Sequence, residues 1–121
     1  MQNAAQAYSS IAKKTGSPRE LEADLLLEAA ARLQAVRDAW DSKRSDLDAA
    51  LVNNRRLWSI FVTSATSDDN PLPAAVRQNV TNLGLFVFKQ TMAVLIDPKP
   101  DNLVSLININ RELAAGLLGR G

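Results

Sequence analysis

The chain has 121 residues, with 14 Lys and Arg against 13 Asp and Glu, and neither His nor Cys. A net charge of +1 with no basic stripe gives little footing for nucleic-acid binding. The missing Cys and His remove disulfides, thiolate metal sites and the commonest catalytic base. The length suits a single domain over residues 1–121 that folds on its own hydrophobic core.

Residues 1–14 place Ala4, Tyr8 and Ile11 at helical spacing and predict a short amphipathic helix. Ser17-Pro18-Arg19-Glu20 then forms a capping box. Ser17 and Glu20 can each satisfy the other's backbone N–H, and Pro18 sits where its missing N–H costs nothing. A helix to about Trp40 follows, with Leu21, Leu25, Ala29, Leu33, Val36 and Trp40 as its apolar stripe and Leu26 widening it.

Beyond a polar break at 41–44, Ser45 is the expected N-cap of a second long helix, with Asp46 and Asp48 in its first turn. Its seam is Leu47, Leu51, Asn54, Trp58, Phe61 and Ala65, in steps of three and four. The loop Ser67–Pro73 ends it, because Asn70 before Pro71 is pushed toward extended geometry. Pro73 to Ile96 predicts a helix that is apolar on two sides. Val76, Val80, Leu83, Val87 and Val94 fall within about 60° of one another, while Leu85, Phe88, Met92, Leu95 and Ile96 lie about 100–200° further round. Gly84 in its interior costs about 1 kcal/mol relative to Ala and permits a close approach. After the stiff link Asp97–Asp101, a last helix to Leu118 carries Leu103, Leu106, Ile107, Asn110, Ala114 and Leu117. The fold class is therefore all-α, a bundle of four long helices plus a short N-terminal one.

No constellation for chemistry emerges. Glu22 and Asp24 point to different sides of a helix, the five Gly form no phosphate loop, and Asp68-Asp69-Asn70 lacks the rest of a calcium loop. The expectation is a protein that is not an enzyme and needs no cofactor or metal. There is neither a secretory signal nor a run of about 18 apolar residues, so the expected compartment is the cytoplasm with no membrane span. Asn54 and Asn110 stand in apolar seams, where an amide must find a partner. They either fix the register of two helices or face a bound partner. The second stripe of the Pro73–Ile96 helix has three uses: burial under the N-terminal helix, a symmetric homodimer, or a helix-binding surface.

Several segments, in order, resemble the FlaF family of flagellar biosynthesis proteins of alphaproteobacteria. They are Gly16–Glu22, Asn54–Phe61, Asn70–Pro73, Asn79 with Asn82-Leu83-Gly84, Leu106–Arg111 and Ala114–Leu117. The resemblance spans nearly the whole chain and carries over no catalytic residue. It implies a cytoplasmic factor in flagellin synthesis and secretion, acting with or against FlbT, a regulator of flagellin translation. Two functions follow as expectations. One is an export chaperone that holds the terminal helical segments of flagellin. The other is a post-transcriptional regulator of flagellin translation. For the first, the candidate contacts are Leu85, Phe88, Met92 and Leu95, with Asn54, Trp58 and Asn110 at the edge of the groove.

Overall fold

The computed structural model describes residues 18–119. The N-terminal helix expected over 1–14 and the capping residue Ser17 lie outside the described residues. The described residues form four long helices, α1 (Pro18–Asp38), α3 (Leu47–Ala65), α4 (Ala74–Ile96) and α5 (Val104–Leu117), with a four-residue helix α2 (Trp40–Lys43) after α1. Single 3-10 turns, Arg44–Asp46 and Pro100–Leu103, lead into α3 and α5. No strand occurs among the described residues.

α1 packs most extensively on α5 and also lies against α3; α4 rests chiefly on α3 and barely meets α5. The core gathers where α1, α3 and α5 converge, around Leu26, Leu33, Leu51, Trp58, Leu103, Leu106 and Ile107. All six seam residues of α3 are buried, Asn54 included. On α5 and its leading turn, Leu103, Leu106, Ile107, Asn110 and Ala114 are buried, and Leu117 packs at the margin. Helices with one apolar stripe bury that stripe, as the spacing requires.

The first helix does not run on to Trp40. Ala39 leaves helical geometry at φ −123°, ψ 46°, and Trp40 starts α2 instead. Its ring packs half-buried against the core margin, with the Arg44 guanidinium 5.1 Å from its centroid. Ser45 does not cap α3: it falls inside the 3-10 turn, and Asp46 precedes the helix without a side-chain capping bond.

α3 and α4 are antiparallel, and two contacts fix their register. Arg77, near the start of α4, donates from Nε to the carbonyl of Ala65 at 2.8 Å and from a terminal nitrogen to that of Ser67 at 3.0 Å. A cation is thereby set on the C-terminal carbonyls of α3, where the helix dipole favours it. Arg77→Met keeps much of the apolar stem and removes both bonds. It is expected to cost about 1–2 kcal/mol in urea unfolding, and an unchanged midpoint would refute this capping role.

Gly84 supplies the second contact. A Cβ there would overlap Val62 Cγ2 and stand 3.5 Å from Trp58 Cε3. Val62 is β-branched and holds one χ1 rotamer in a helix, so it cannot swing aside cheaply. Gly84→Ala gains about 1 kcal/mol of helix propensity but meets an overpacking cost of about 1–3 kcal/mol. The expected outcome is a net loss in thermal melts of wild-type background, converted to a gain when Val62→Ala is present.

A groove between two helices as the candidate site

α4 buries only Gly84, Val87, Thr91 and Val94. Val80, Leu83 and Phe88 pack partly against the core, while Val76 is exposed. Thr91 is tolerated inside because its hydroxyl donates to the Val87 carbonyl at 2.7 Å. Apart from Phe88, the second stripe stays open. Leu85 and Met92 are each 58% exposed, Leu95 47% and Ile96 79%, and among the described residues six of the seven large exposed hydrophobics belong to this helix. Phe86 is exposed too, but about 100° round the helix from Leu85, so it serves another surface.

Leu85, Phe88, Met92 and Leu95 follow one another at steps of three, four and three. That is the seam of a helix prepared to meet another helix. Beside it, α3 contributes Asp48, Val52, Arg55 and Ser59 at steps of four, three and four. Between these rows runs an open groove of about 660 Å³, floored by the buried Leu51 and Thr91 and walled by Val52, Arg55, Phe88, Met92 and Leu95. Leu85 continues the seam beyond the groove's lining.

Asn54, Trp58 and Asn110 are not at its edge. All three are fully buried. Trp58 Nε1 donates to Asn110 Oδ1 at 2.8 Å, and Asn110 Nδ2 donates to Asn54 Oδ1 at 2.7 Å and, more weakly, toward the Leu26 carbonyl at 3.4 Å. The two amides therefore lock α3 to α5 and α1. Side chains already enclosed and bonded to each other offer no surface to a partner. Nothing in the sequence pairs Asp48, Val52, Arg55 or Ser59 with the α4 stripe. Their 4-3-4 spacing was visible, but a row of mixed polarity reads as solvated surface.

A second depression of about 550 Å³ lies along the C-terminal half of α3 and the following loop, from Ser59 to Pro71. The polar groups of its loop rim are largely engaged internally. Asn70 Nδ2 donates to the Ser64 carbonyl at 3.0 Å, Asn70 Oδ1 accepts from the Leu72 N–H at 2.9 Å, and Ser67 Oγ accepts from the Asp69 N–H at 3.3 Å. Asn70 thus folds the loop, and its amide is not left to hold a ligand. No group of three or more acidic metal-ligating residues occurs among the described residues.

Among the described residues, α4 is the one helix long and apolar enough, by length and composition, to cross a membrane. The helix has no long unbroken apolar run, because Arg77 to Asn79, Thr81, Asn82 and Lys89 to Thr91 interrupt it. A long apolar helix packed through one face only on α3 satisfies the same test.

Fold and groove together define an all-α protein that presents a half-covered apolar helix beside a ready-made trough. The family model described as Flagellar protein FlaF matches residues 4–117, so the chain belongs to the FlaF family. No curated protein and no solved structure matches the chain.

Proposed function

We propose that this protein is a cytoplasmic, non-catalytic chaperone that binds the terminal helical segments of flagellin through the α3–α4 groove before export. Membership of a flagellar family supplies the setting. The observation that carries the mechanism is the open 3-4-3 seam Leu85, Phe88, Met92 and Leu95. A flagellin terminus that becomes helical only on assembly has an apolar face to cover until then. Helix-in-groove docking covers it with anchors at the same periodicity. Ordering the segment on binding costs conformational entropy, which keeps affinity moderate and release ready.

Control of flagellin translation is the competing reading. A net charge of +1 gives direct RNA binding no support, which leaves FlbT as the protein through which such control would run. The test is gel filtration of purified monomeric flagellin with the full chain. Co-elution with wild type and its loss with Leu85→Asp/Met92→Asp is the expected result. Equal co-elution with the folded double variant would move the site elsewhere. No complex with flagellin, alongside a stable complex with FlbT, would favour the regulator.

A further inference from the structure

We infer that the α3–α4 groove selects its occupant by charge as well as by apolar spacing: it takes an amphipathic helix whose flanks are acidic. This deepens the reading above and rests on it for the identity of the site.

The rim carries the argument. Arg55 stands on the α3 wall at the level of Phe88, and Asp48 lies one heptad away toward Leu95. Lys89 is exposed on α4, about 60° round the helix from Met92, on the side away from α3. Among the described residues none of the three makes an ion pair; the three ion pairs present are Arg37–Asp38, Arg37–Asp101 and Lys99–Asp97. A helix lying on the seam would therefore pass between Arg55 on one flank and Lys89 on the other, with Asp48 alone opposing them near one end. Arg55 lines the groove itself, and Lys89 neighbours Leu85 and Met92 on the helix surface, so both stand beside apolar surface that docking would dry. Coulomb attraction there is less screened than on open surface.

The same charges argue against a second copy of this chain. α4 carries Arg77 and Lys89 and no carboxylate. Laid into a partner's groove, it would bring basic residues to a rim whose excess is already basic. Like charges facing across an interface disfavour the pairing. A flat anionic bilayer would answer the cations, but it cannot enter a trough whose floor is Leu51 and Thr91. A helix with leucine-type anchors at three-four spacing and glutamate or aspartate flanks satisfies both features.

Two 21-residue helical peptides test this against the full chain, each with Leu at three-four spacing, one flanked by Glu and the other by Lys. Fluorescence anisotropy at low salt is expected to show the Glu peptide binding at least about fivefold tighter, as two favourable pairs replaced by two repulsions predict. The difference should collapse near 1 M salt. Arg55→Glu/Lys89→Glu, two exposed changes that spare the fold, should reverse the preference. Equal binding of both peptides, unaltered by the double variant, would overturn charge selection while leaving the groove and the flagellin reading intact. Self-association at micromolar concentration that the Glu peptide cannot displace would overturn it in favour of a second copy. Binding to phosphatidylglycerol vesicles without binding to either peptide would overturn it in favour of a membrane. Selective binding of the Glu peptide with no capture of flagellin would uphold charge selection and remove the flagellin assignment instead.

Discussion

Asn110→Ala is expected to lower the free energy of unfolding by about 3–5 kcal/mol, a large share of what a domain of this size possesses. Asn110 is the hub of the buried network: it accepts from Trp58 Nε1 and donates to Asn54 Oδ1. Truncation leaves the indole N–H and the Asn54 carbonyl oxygen buried with nothing to bond, at about 1–3 kcal/mol each. A cavity adds to that loss. Asn54 occupies the opposite position. Its Nδ2 is already buried with no hydrogen-bond partner. Asn54→Leu, close in shape, gives up one hydrogen bond and removes one unpaired donor. Its expected effect is within about 1 kcal/mol of zero, on either side. Denaturant titration read by Trp fluorescence measures both variants, since Trp58 is enclosed and reports the core directly. Similar losses for the two would mean that the asymmetry of the network is not felt, and would sink the assignment of Asn110 as its centre.

Those amides mark how far the sequence could be read. A polar residue at the centre of an apolar seam must find a partner, and that much follows from spacing alone. Which partner it finds depends on residues 54 and 110 meeting across 56 positions of chain, and no local pattern encodes that. The same distinction separates α3 from α4. α3 has one stripe, so burial of Leu47 through Ala65 follows from periodicity. α4 has two, and periodicity cannot rank them. Gly84, whose missing Cβ lets α4 approach Val62 and Trp58, lies about midway between the two stripes, so it fixes the contact with α3 without ranking them. The ranking comes from the core that α1, α3 and α5 build, which covers Val87, Thr91 and Val94 and leaves Leu85 and Met92 open. Trp40 keeps its place against the core, but the helix stops two residues before it, because the apolar rhythm continues through Ala39 while the backbone turns there. The α3 wall of the groove was hidden because Arg55, Asp48 and Ser59 read as ordinary solvated positions. They acquire meaning only once α4 lies beside them.

Leu85→Asp/Met92→Asp is expected to weaken flagellin binding by about a hundredfold or more while leaving the melting temperature nearly unchanged. Both side chains are more exposed than buried in the free protein, so the folded state loses little when they become carboxylates. In the complex the same positions would lie under the apolar face of the client helix. Two carboxylates must then be stripped of water under an apolar face, and any pairing with Lys89, four residues after one and three before the other, takes that cation from the client; otherwise the helix must lift off the seam. Either outcome removes the central anchors of the interface, where truncation alone commonly costs about 2 kcal/mol or more per residue. Val87→Asp provides the contrast. Val87 is fully buried on the adjacent face of the same helix, and a charge there is expected to unfold the domain before binding can be measured. A double variant that binds flagellin as wild type does, with an unaltered circular dichroism melt, would show that the open seam is not the surface flagellin uses. A double variant that melts like Val87→Asp would show instead that this stripe belongs to the core.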